Sequence, residues 1–97
     1  MNTIQKLISR NVQSVVVREA NKYFDAIQNA DSENERRELI ESRERIETAW
    51  SRVSRAIREN DNLDAMIDAI KAIENETYED DFVIIEARQQ IRWAQGE

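Results

Sequence analysis

Apolar residues recur along most of this chain at the three-and-four spacing of helices that bury one side. The clearest case lies between Asp31 and Asn60, where Leu39, Ile46, Trp50, Val53 and Ile57 follow at intervals of seven, four, three and four. A stripe with that period faces a core on every turn of a helix. Beside it Ser42, Ala49 and Ala56 repeat every seven residues, a low ridge that lets another helix come close. Asp31-Ser32-Glu33 offers side-chain acceptors for the unpaired N–H groups of the first turn.

A first segment, Thr3 to Ala30, carries Ile4, Ile8, Val12, Val15, Val16, Tyr23, Ile27 and Ala30 at helical spacing, with Asn2 or Thr3 to cap it. The β-branched run Val15-Val16-Val17 costs about a few tenths of a kcal/mol per residue in a helix, which burial must offset. After the break at Asn60-Asp61-Asn62, a third stripe runs through Leu63, Met66, Ile67, Ile70 and Ile73. Asn75-Glu76-Thr77 weakens the pattern, and Thr77 with Asp80 resembles a capping box. The spacing therefore predicts helices over about 63–75 and 78–95, with one helix kinked at 75–77 as the alternative. The expected fold is all-α: a single domain, residues 1–97, built as a small antiparallel bundle of three long helices, the third broken near residue 76.

Two helices are apolar on more than one side. Val17 and Phe24 fall away from the Ile4–Ile8–Val15 stripe. In the last helix Tyr78, Phe82, Ile85 and Trp93 lie along one side, and Val83, Ile84, Ala87, Ile91 and Ala94 along roughly the opposite one. A helix apolar on two sides is either central in a bundle or shared with another chain, and a domain this small has little room for a central helix. The expectation is a homo-oligomer, a dimer in the first instance, with Val17, Phe24, Phe82, Ile85 and Trp93 at its interface.

Composition narrows the chemistry. There is no cysteine and no histidine, so disulfides, thiolate metal sites and the commonest general base are all missing. No proline and a single glycine, Gly96, leave few means of building a phosphate-cradling loop. Ser9, Ser14, Ser51 and Ser54 fall within helix patterns and lack a base, so nucleophilic catalysis has no support. The chain is expected not to be an enzyme and to need no cofactor. No apolar run approaches the roughly 18–20 residues that span a bilayer, and no secretory leader is evident. The expectation is a cytoplasmic protein that does not engage membranes.

Charge is unevenly spread. Residues 1–30 balance at +2, residues 31–60 at −1 and residues 61–97 at −7, within a net charge of −6. The seven arginines of residues 31–60 are interleaved with eight acids that cancel their field, which argues against direct nucleic-acid binding. The acidic excess gathers in Asp61, Asp64, Asp68, Glu74, Glu76, Glu79, Asp80 and Asp81, relieved there only by Lys71. Such a face either keeps the chain soluble or docks a basic partner surface, where complementary potential speeds encounter. A sharper version has the carboxylates imitate the phosphates of a nucleic acid in the groove of an enzyme that binds one.

A competing reading takes the carboxylates as Mg²⁺ ligands. Glu38, Glu41, Glu44 and Glu47 step by threes, and Glu41-Ser42-Arg43-Glu44 resembles the E-x-x-E element of all-helical nucleotide pyrophosphohydrolases. That likeness implies a Mg²⁺-dependent hydrolase, but Glu41 and Glu44 sit on the charged side of their helix, away from the apolar stripe. The expected function is accordingly a small acidic protein-binding module, adaptor or inhibitor in type, similar in size and composition to phage and plasmid factors that antagonise host enzymes. A self-assembling helical module with no separate ligand is the alternative.

Overall fold

The structure is a computed structural model that describes residues 1–76 and 82–96. Those residues form four helices: α1 (Thr3–Gln28), α2 (Glu33–Glu59), α3 (Leu63–Glu76) and α4 (Phe82–Ala94). The all-helical class is as expected; the count of three long helices is corrected to four. Arg88 reaches Glu74 at 3.0 Å and Gln95 reaches Asp64 at 3.3 Å. In one continuous helix residues 74 and 88 would stand about 20 Å apart. The chain therefore doubles back, and α3 and α4 form an antiparallel hairpin rather than a kinked rod. Thr77 and Asp80, the expected capping pair, lie outside the described residues.

Local chemistry explains the other helix ends. Asn2 caps α1 in a reciprocal box: Gln5 N–H donates to Asn2 Oδ1 at 2.9 Å, and Asn2 N–H donates to Gln5 Oε1 at 2.7 Å. Ser32, not Asp31, caps α2 by accepting from Glu35 N–H at 3.1 Å. In the turn between α2 and α3 the two asparagines divide the work. The Asn60 amide donates to Ala56 O at 2.6 Å and closes α2, while Asn62 Oδ1 accepts from Ala65 N–H at 2.8 Å and opens α3. Gly96, with φ of 87°, ends α4 in the left-handed region where a Cβ would be strained.

Packing follows the stripes. α1 and α2 pair antiparallel, with Asn2 beside Asp61 at one end and Phe24 beside Arg43 at the other. α2 and α4 lie close to each other and to both flanking helices, whereas the backbones of α1 and α3 stay apart among the described residues and the two helices share only the core between them. Ala49, Ala56 and Ala87 are all buried, and side chains this small let neighbouring helices come close, as where Ala56 of α2 lies beside Ala69 and Ile73 of α3. Ile8, Val12 and Val16 of α1, Val53 and Ile57 of α2, Met66 and Ile70 of α3, and Val83 and Ile91 of α4 fill the centre. Every buried residue of α1 lies at or before Val16, and every one of α2 at or after Ile46. The core thus sits at one end of a molecule 46 Å long, and the far halves of α1 and α2 extend beyond it as a two-helix arm.

Two polar side chains are buried with the core. Gln5 is 4% exposed, and its amide Nε2 donates to Ile57 O at 2.9 Å, Asn60 O at 3.0 Å and Arg58 O at 3.1 Å. It displaces Ile4, expected in the α1 stripe but found 45% exposed, because the end of α2 needs a donor more than another methyl group. Gln90 of α4 accepts from Asn11 of α1 at 3.1 Å and donates to Glu86 at 3.0 Å, which fixes how α4 lies on α1.

Removing the amide of Gln5 strands several carbonyl oxygens inside the bundle. Gln5→Ala should lower unfolding stability by about 1–3 kcal/mol in urea titrations. Gln5→Glu keeps the shape but aims an acceptor at acceptors, and should cost at least as much. A Gln5→Glu chain as stable as the parent would contradict the hydrogen bonding described.

Candidate functional site on the α3–α4 hairpin

The acidic stretch does not survive folding as one continuous face. Glu74 turns toward α4, where Arg88 Nη1 donates to both carboxylate oxygens at 3.0 and 3.2 Å. Glu76 turns the other way and pairs with Arg52 of α2. Two of the eight expected partner-binding acids are thus engaged by arginines of the same molecule. Glu79, Asp80 and Asp81 lie outside the described residues. Asp61, Asp64 and Asp68 remain exposed, and none of the three is ion-paired among the described residues. Asp64 accepts a hydrogen bond from Gln95, and the main-chain oxygen of Asp61 accepts from Asn2 at 2.8 Å.

Beside these carboxylates is a feature that the sequence does not advertise. Lys71, Arg88 and Arg92 come together with Ile67 and Gln95 around a shallow groove of about 230 Å³ between α3 and α4. The outer face of α4 continues it with Ile85, Gln89 and Trp93. Arg88 and Arg92 are one turn apart, so a helical projection places them on one side of α4. Their meeting with Lys71 depends on the antiparallel pairing of the hairpin, which no local pattern encodes.

The residues expected at an oligomer interface divide in three. Ile85 and Trp93 stand on the outer side of α4, 51% and 58% exposed. Val17 and Phe24 are exposed on α1, and the Arg43 guanidinium lies 5.8 Å from the Phe24 ring centroid, covering part of it. Phe82 is half-buried against the core and is largely spoken for.

The carboxylates of α2 line open surface. Glu41 and Glu44 border a shallow depression with Arg45 and Thr48, on the side of α2 away from the core. Among the described residues no group of three or more acidic, histidine or cysteine side chains is placed to hold a metal ion. Arg43–Glu47 at 3.2 Å and Arg55–Glu59 at 3.0 Å are ion pairs along α2. Arg55 has its pKa raised by the hydrogen bond and then by the charge of Glu59, a shift on a group that is always protonated near neutral pH. Among the described residues no helix is long and apolar enough to cross a membrane.

No protein-family model matches the chain, and no curated protein or solved structure matches it. Function therefore rests on the surface itself.

The Arg88–Glu74 pair is about one-third exposed on each side, so water and salt screen it. Arg88→Ala should lower stability by less than about 1 kcal/mol, and 1 M NaCl should erase most of that difference. A loss above about 2 kcal/mol in urea titrations would make Arg88 a structural strut instead of a surface cation.

Proposed function

We propose that this chain is a small protein-binding module of adaptor or inhibitor type that presents a carboxylate edge to a basic surface on its partner. The observation that carries the reading is that Asp61, Asp64 and Asp68 stay exposed at the start of α3 with no ion pair among the described residues, while Glu74 and Glu76 are tied back to arginines. Asp64 and Asp68 are one turn apart and so share one side of α3. The helices behind them are locked by a core, so the carboxylates are presented with little ordering left to do. An antagonist of the kind carried by phages and plasmids would work in this way, in the cytoplasm, by occupying a cationic groove of its target and making or breaking no bond itself. The Mg²⁺ hydrolase reading loses ground because Glu41 and Glu44 face open surface.

Immobilised chain should capture its partner from a lysate of the source cell, and the affinity of the purified pair should fall roughly tenfold or more between 50 and 300 mM NaCl. Asp64→Lys with Asp68→Lys should abolish capture while leaving helix content and melting temperature near those of the parent. Binding indifferent to both salt and this charge reversal would end the proposal.

A further inference from the structure

The large apolar side chains left exposed among the described residues fall almost wholly on two helices. Ile40 is on α2, and every other one is on α4 or on α1 with the Met1 that precedes it. Acids avoid the same two helices. Residues 1–18 contain Lys6, Arg10 and Arg18 and no acid, and α4 contains Arg88 and Arg92 against Glu86, which is half-buried and accepts from Gln90. α1 and α4 pack together, joined by Asn11 and Gln90. A chain with a net charge of −6 thus gathers bare apolar groups and cations on one adjoining pair of helices.

Leu7, Arg10, Ser14 and Val17 follow at three, four and three on the side of α1 opposite its buried Ile8, Val12 and Val16, and all four are exposed. Ile85, Gln89 and Trp93 follow at fours and are exposed on the side of α4 away from Val83, Ala87 and Ile91. α4 runs antiparallel to α1, so the Asn11–Gln90 bond sets Leu7 near the level of Trp93 and Val17 near that of Ile85. Two apolar seats therefore lie about 12–15 Å apart along the outer side of the pair, with Arg10 between them, Arg92 beside one and Arg18 just past the other.

We propose that this outer face of α1 and α4 docks an acidic amphipathic helix of another protein. A third helix laid along two antiparallel ones meets seats at that separation with apolar residues two to three turns apart on one side. Carboxylates flanking those residues reach Arg10, Arg18 and Arg92, and within residues 1–18 and α4 Glu86 is the one acid to repel them. A second copy fits poorly, since it would bring cations against cations with only Glu86 to offset them. A nucleic acid would meet apolar ground where its phosphates need cations. The face is separate from the carboxylate edge of α3 and does not depend on it, so the chain offers surfaces of opposite sign to two kinds of partner.

The probe is a synthetic peptide of about 18 residues stapled into a helix roughly 27 Å long, with leucines along one side and glutamates elsewhere. It should bind the full chain with a dissociation constant on the order of 10–100 μM, read by the anisotropy of labelled peptide. Trp93 emission should shift to the blue on binding, over a constant background from Trp50, which is packed against the core. Arg10→Glu with Arg18→Glu, at exposed positions that leave helix content unchanged, should weaken binding roughly tenfold or more. Val17→Ser and Trp93→Ser should each weaken it as well. Asp64→Lys with Asp68→Lys should not weaken it, which separates this face from the carboxylate edge. Equal binding of a twin peptide with lysines for glutamates, or of one with the same residues scrambled, would overturn the proposal. So would a peptide that fails to bind at about 300 μM, well above the expected constant. Tighter binding to phosphatidylglycerol vesicles than to the peptide would also sink it, by making the face a membrane anchor.

Discussion

The last carbonyl oxygens of a helix have no partner within it, and at the end of α2 they lie against α1 instead of in water. Two side chains answer for them: Asn60 donates to Ala56, and Gln5 of α1 reaches those that follow. Gln5 donates from its amide to Ile57, Arg58 and Asn60, and its Oε1 accepts from the N-cap of its own helix. Asn2, the other half of that cap, donates to Asp61 in the following turn. The start of α1 thus holds the end of α2 and the path into α3 together. Without that clasp, the turn that aims α3 back along the bundle would have to find water for polar groups the core has shut away.

The position of the core has consequences for the surface. α3 and α4 are about half the length of α1 and α2, so they cover only the end of the long hairpin where Ile8, Val53, Met66 and Val83 meet. Beyond Val16 and before Ile46 no described residue of the two long helices is fully buried, and Tyr23 packs against the edge of the core. Phe24 is left half-exposed there, with the stem and guanidinium of Arg43 as a partial lid. At the other end, α4 is covered on one side by the core and bare on the other, which is how Ile85 and Trp93 come to face outward in so small a protein.

Intramolecular ion pairs reshape what a partner would meet. A segment with a balance of −7 in sequence folds into a hairpin that spends Glu74 on Arg88 and Glu76 on Arg52, and gathers its three cations in one groove. The result is a surface that sets Asp61, Asp64 and Asp68, none of them ion-paired among the described residues, beside the cations that line the groove.

Much of the fold was legible along the chain. Helical periods placed α1, α2, α3 and the end of α4 to within a few residues, since burial of one side per turn leaves its mark on local sequence; the start expected at 78 lies outside the described residues. The doublet of asparagines at 60 and 62 announced the turn between α2 and α3, because side-chain capping is a local interaction. Gln5 and Gln90 were missed, as a polar residue inside a stripe looks like an exposed one until its partner from another helix is in place. The acidic run reads as one face because sequence records spacing within a helix but not which way a neighbouring helix presents its arginines. Local periodicity decided where helices form and which side of each is apolar; only tertiary structure decided which charges meet, since ion pairs and grooves between helices arise from residues many positions apart.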